Sequence, residues 1–192
     1  MQIPPRRAMV FVDGSNMLVE MFRVLGVGAR AEKASATAFN AAMHAINVGI
    51  AGLTGSVAPV YVLRRYWFGS VQGSPDDLSK SQEALRRSGF DGVLFHKREG
   101  KEKGVDLAVA REMLMHGFLK NYDTAIFVAG DEDYLGLIND VKRLGLVTVG
   151  MFFDVPALSP RLKVAFDHFV TLESPENQQP ALIAALRAEC AG

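Results

Sequence analysis

A chain of 192 residues with a formal net charge of zero fits one domain, or one domain with a tail, and can bury a core without disulfides or a structural metal. Its hydrophobic fraction of 49% and charged fraction of 22% exclude general disorder, and the zero charge excludes a global pull toward nucleic acid, so any such contact must use a local patch. The single cysteine, Cys190, excludes an internal disulfide and a multi-cysteine zinc site.

The basic start is followed by an apolar run too short for a signal-peptide core, and no apolar stretch is long enough to span a bilayer. A cytoplasmic protein with no membrane partner is expected. Ala8 to Val12 reads as a buried parallel strand closing on Asp13-Gly14. Helical periodicity follows from about Ser15 to Leu25, is broken by Gly26 and Gly28, and resumes from about Ala31 to Ala51. Ala58 to Leu63 is the second strand, with Pro59 near its start, and Gly69 to Pro75 is a polar loop. Asp76 to Ser88 reads as a helix, Gly92 to Phe95 as a strand, His96 to Lys103 as a charged connection and Val105 to Phe118 as a helix.

Thr124 to Ala129 is the clearest buried strand. A helix from about Tyr134 to Leu144, a strand from Leu146 to Phe153, a short helix from Ser159 to Phe166 and a short strand from His168 to Leu172 complete the pattern. Residues 1–173 form the expected domain. Residues 174–192 are expected to be a linker and a short helix, docked on this domain or serving a homodimer or a protein partner.

Strands alternating with helices predict an α/β fold of three layers, α/β/α, around a mostly parallel sheet. Ligands in such folds sit beyond the carboxyl ends of the strands. Asp13 follows the first strand, and Asp131 and Asp133 follow the clearest one. Asp106 opens a helix, and Asn16 lies three residues after Asp13. An aspartate cluster suits Mg²⁺ or Mn²⁺, hard ions that take oxygen ligands and offset the carboxylates' mutual repulsion. Such a site cleaves phosphodiesters with an activated water and needs no serine, cysteine or histidine nucleophile. Each residue also has a plain structural role open to it. Asp13-Gly14 and Asn16 suit a turn, Asp131 a helix cap, and Asp106 and Asp133 the first turn of a helix. Glu132 reads as solvated, and Asp154 and Asp167 are weaker candidates.

Phe11-Val12-Asp13-Gly14-Ser15-Asn16 resembles the opening motif of NYN domains, PIN-like ribonucleases, with the LabA-like bacterial subgroup nearest. Lys103-Gly104-Val105-Asp106, Tyr122 to Ile126 leading into Gly130-Asp131-Glu132-Asp133-Tyr134, and Ser159 to Phe169 resemble its later motifs in the right order. The resemblance implies a PIN-like (Rossmannoid) fold, divalent-metal binding and endoribonuclease activity. Asp13, Asp106, Asp131 and Asp133 would carry the acidic site, with Asn16 beside it.

Two basic features are candidates for holding RNA. Arg64 and Arg65 precede Tyr66, Trp67 and Phe68, and arginines and aromatic rings grip phosphates and stack on bases. Lys101 and Lys103 lie in the charged run before Asp106. The competing reading is partly buried aromatics, with at most one ring exposed, and a solvated loop. His44, His116 and His168 lack metal-ligand spacing and read as structural or exposed. The main alternative function is a PIN-like module that binds RNA or protein without cutting. A dehalogenase-type phosphatase is disfavoured because Ser15 stands where it needs a second aspartate, and a dinucleotide-binding domain because the first turn is not glycine-rich. A flap-nuclease-like DNase would share the acidic chemistry.

Overall fold

The computed structural model describes residues 6–26, 36–56, 60–97, 104–173 and 180–191. Six strands form one sheet: β1 (Arg6–Asp13), β2 (Val60–Val71), β3 (Asp91–His96), β4 (Thr124–Val128), β5 (Val147–Phe152) and β6 (His168–Thr171). Their order is β3-β2-β1-β4-β5-β6, and every pairing is parallel. The helices are α1 (Gly14–Val24), α2 (Ala36–Ser56), α3 (Pro75–Arg87), α4 (Val105–Phe118), α5 (Leu135–Arg143), α6 (Pro160–Ala165) and α7 (Pro180–Ala191). A 3₁₀ turn, Glu132–Tyr134, precedes α5.

The central strands are apolar on both faces because both are covered, as parallel sheets require. Val10 and Val12 of β1 join Met17 of α1, Phe39 and Ile46 of α2 and Leu85 of α3 in one core. Phe11 joins Val109 and Met113 of α4, Phe127 of β4 and Ile138 of α5 in the other. The three-layer α/β/α arrangement with an all-parallel sheet is therefore as the sequence predicts.

Most predicted elements lie within a few residues of their observed bounds. The exception is β2, expected to end at Leu63 but continuing to Val71. Its second half pairs with β1 as far as Phe68 and with β3 from Tyr66 to Val71, and this buries Trp67, Phe68 and Gly69. The predicted loop therefore starts after Val71, and Ser74 then begins α3 with a capping box shared with Asp77. The helix expected to reach about Ala51 runs on to Ser56, past Gly52 and Gly55. The start predicted for that helix (31–35), Ala58, Pro59 and most of the charged connection (98–103) lie outside the described residues. The C-terminal helix docks on the domain itself. Ile183 of α7 is buried in the first core, and Arg187 donates a 3.0 Å hydrogen bond to the Leu25 carbonyl. Among the described residues, no helix is long and apolar enough to cross a membrane.

Candidate active site

The chain lays β2 and β3 to one side of β1, then returns to place β4 on the other. Connections diverge at this switch point, opening a crevice at the carboxyl edge between β1 and β4. Asp13 ends β1, and Gly130-Asp131 follows β4. These adjacent strands therefore bring two of the predicted carboxylates to the same edge.

Asp13 is the best defined of them. It is buried, and its Oδ1 accepts a 3.0 Å hydrogen bond from the Asn16 backbone N–H, capping α1. The next residue must be glycine. A Cβ on Gly14 would lie 2.1 Å from Trp67 Nε1 and 2.7 Å from the Phe68 carbonyl oxygen. The Asn16 side chain crosses the crevice, its Oδ1 accepting a 2.8 Å hydrogen bond from Gly130 N–H. Asn16 thus ties the turn after β1 to the turn after β4. Gly130 itself is pressed against Phe152, whose ring would come within 2.5 Å of an added Cβ.

Asp106 stands in the exposed first turn of α4, which starts at this same edge and crosses back to β4. It meets Asp13 through Tyr134. The Tyr134 hydroxyl lies 2.7 Å from Asp13 Oδ2 and 2.9 Å from Asp106 Oδ1. Tyr134 is 4% exposed, and its ring packs edge-to-face on Phe127 with centroids 4.8 Å apart. Burial, followed by the neighbouring Asp13 and Asp106 carboxylates, pushes its phenol far above the ordinary tyrosine value. The hydroxyl therefore keeps its one hydrogen and faces two acceptors. Tyr134 is the residue that sequence reasoning missed; its signal is a buried hydroxyl directly after an acidic turn, which must find a partner.

Asp131 and Asp133 are exposed at the end of β4. Asp131 Oδ1 accepts a 3.1 Å hydrogen bond from Asp133 N–H and so caps the 3₁₀ turn. Glu132 is exposed yet engaged. It pairs with Arg161, and its Oε2 accepts a 2.8 Å hydrogen bond from Ser159 Oγ. Ser159 N–H also donates to the Gly130 carbonyl at 2.9 Å, bracing the β4 turn against α6. Asp154 pairs with Lys163, and Asp167 is bonded to Thr148 and Lys142. Among the described residues, no group of three or more His, Cys, Asp or Glu side chains is arranged to hold a metal ion. What converges is the Asp13–Tyr134–Asp106 bridge. Its donors are all oxygen, which fits a hard divalent cation held by one or two carboxylates.

The basic candidates fall elsewhere. Arg64 and Arg65 pair in register with Met9 and Val10, three to four residues before the end of β1, or roughly 10–13 Å below the crevice edge at the rise of a strand. Arg64 is held by Asp91 at 3.0 Å. Trp67 and Phe68 are buried, and the half-buried Tyr66 stacks on Phe11. No ring of this stretch is open for a base. His116 has a structural role, its Nε2 3.0 Å from the Tyr66 hydroxyl and its Nδ1 2.8 Å from Asn121 Nδ2. Lys101 and Lys103 lie outside the described residues.

A parallel α/β/α sheet with carboxylates gathered at its switch point defines a Rossmann-like domain with an acidic crevice. Residues 7–173 match the NYN domain, so the chain belongs to the NYN domain family, whose members are PIN-like nucleases. No protein of curated function matches the chain in sequence. In structure the chain is similar to a protein of unknown function from Vibrio parahaemolyticus, at a TM-score of 0.62 and 18% identity. The likeness covers 91% of this chain and 98% of that one; it concerns the fold alone.

Proposed function

We propose that this protein is a divalent-metal-dependent endoribonuclease using Mg²⁺ or Mn²⁺. The observation that carries the reading is the convergence of Asp13 and Asp106, from separate elements, on the Tyr134 hydroxyl at the switch-point edge. Two carboxylates this close to one hydroxyl repel each other, and a cation offsets that repulsion. A bound divalent ion supplies Lewis-acid polarisation of a phosphodiester and acidifies a water for in-line attack.

The chain's own residues have separate tasks. Asp13 and Asp106 would hold the ion. Asp131 and Asp133, exposed just after the end of β4, would complete the acidic site or orient the attacking water. Asn16 fixes the site's shape by holding the two strand-end turns together. Lys103, three residues before Asp106, and Lys101 would contact RNA phosphates. Arg64, engaged with Asp91 and away from the edge, is assigned a lesser part.

The test is cleavage of tRNA, structured RNA and single-stranded RNA by purified protein with Mn²⁺, Mg²⁺ or EDTA. The expected result is metal-dependent cutting that falls about a hundredfold or more in Asp13→Asn and Asp131→Asn. Asparagine is also a good helix cap, so Asp13→Asn should keep the fold. Normal cleavage by a folded Asp13→Asn variant would sink the assignment. RNA retained without cutting would favour a module that binds RNA without cleaving it.

A further inference from the structure

We propose that Tyr134 is the positioning residue of the acidic site, its hydroxyl keeping the Asp13 and Asp106 carboxylates turned toward one point, where one divalent cation can draw them together. The inference rests on the metal-dependent reading and assigns the residue that prepares the site for its ion.

The two carboxylates belong to elements that are distant in the chain, the end of β1 and the first turn of α4. Asp106 is exposed, so surrounding packing does not fix its side chain, and a hydrogen bond from a rigid donor does. Tyr134 is such a donor. Its ring is enclosed and set edge-to-face on Phe127, which leaves the hydroxyl little room to move. Both carboxylate oxygens lie within hydrogen-bond distance of that single oxygen. They can be no farther apart than those two contacts laid end to end. Ligand oxygens on one Mg²⁺, each about 2.0–2.1 Å from the ion, stand at most roughly 4 Å apart. The two contacts set an upper limit on the pair's separation that lies above that spacing, so the oxygens must close further as an ion binds.

A phenylalanine would fill the same space in the core. A hydroxyl buried there costs free energy unless it is bonded, and its bonds here go to the two carboxylates. The phenol has one hydrogen, shared between the two carboxylate oxygens that lie within its reach. The shared hydrogen keeps both side chains turned toward the same point. With the ion present, the same hydroxyl donates to a ligating carboxylate, the role outer-shell partners play in orienting metal ligands.

The experiment is a Mn²⁺ titration of the full chain, without RNA, read by the electron paramagnetic resonance signal of free Mn²⁺. The parent, Tyr134→Phe, Asp106→Asn and the double variant are compared, with folding checked by circular dichroism. Tyr134→Phe keeps the ring against Phe127 and should weaken Mn²⁺ binding about tenfold or more, the usual effect of losing an outer-shell partner. That loss should shrink in the Asp106→Asn background, because the hydroxyl acts through the pair. Equal or tighter binding by Tyr134→Phe would overturn the inference, as would an equal loss in both backgrounds. Absence of Mn²⁺ binding by the parent would overturn the metal-dependent reading itself, and this inference with it.

Discussion

Gly14 carries no side chain because Trp67 occupies the place where one would stand. The indole lies beneath the turn that aims Asp13 into the crevice, and a methyl group at Gly14 would overlap both the indole and the Phe68 carbonyl. Neither can yield easily. Trp67 is buried between Phe39 and Phe90, and the carbonyl belongs to a central strand. Gly14→Ala should therefore cost about 1–3 kcal/mol, as overpacking does, and displace Asp13. Thermal melting and RNA cleavage measure the two effects separately. A variant with the parent's melting temperature and cleavage rate would show that the turn is not held as tightly as this contact requires. At this scale the sequence was informative about residue type and poor about partners. Asp13 was legible because an apolar run ends on it. Tyr134 was not, since an aromatic residue ahead of a helix fits a core position equally well, and only the fold brings its hydroxyl to the carboxylates. Arg64-Arg65 beside three aromatics has the composition of a phosphate track, but strand register, which no local pattern encodes, sets the pair below the edge.

Elements carry the site by their ends. The strands were readable because a parallel strand covered on both faces must be apolar along its length; β1, β4 and β5 obey this. The second half of β2 escaped because Gly69 and Ser70 have the composition of a loop, while pairing with Leu94 and Phe95 of β3 makes them strand. The turn after β4 depends on a short element farther along. Ser159 caps α6, accepting from Leu162 N–H, while its hydroxyl also donates to Glu132 and its N–H to the Gly130 carbonyl. Ser159→Ala removes the cap and one brace but leaves the backbone contact. The expected cost is about 1 kcal/mol, or a melting temperature lower by about 2–4 °C for a chain of this size. Cleavage should fall less than in Asp131→Asn, because the aspartate itself remains. Loss of cleavage equal to that of Asp131→Asn at an unchanged melting temperature would instead place Ser159 in the chemistry.

For the whole molecule, zero net charge means that acid stability is decided by how individual carboxylates are paired. Asp123 is held below the usual carboxylate range chiefly by its hydrogen bonds from Arg7. Asp77 is held down by the Ser74 backbone and side chain that it caps, and Glu83 is lowered to about 2 by Arg86 and Arg87. For Asp167, burial works against the charged form, but Lys142 and the Thr148 backbone and hydroxyl outweigh it. The shift is downward in each case. The native state therefore holds fewer protons than the unfolded chain between the folded values and the unfolded ones near pH 4. The stabilisation is complete above the unfolded values and is lost as the pH falls through the folded ones. Melting temperature should be nearly flat from neutrality to about pH 5 and should drop below about pH 4. Asp167 is the least exposed of these groups to solvent screening. It joins β5 to the corner before β6, so it should account for a measurable share. Asp167→Asn is expected to lower the melting temperature at pH 7 and to narrow its gap from the parent as the pH falls toward 3. A gap that stays constant across that range, measured by circular dichroism in matched buffers, would show that the charge of Asp167 does not stabilise this corner and that its hydrogen bonds to Thr148 suffice without it.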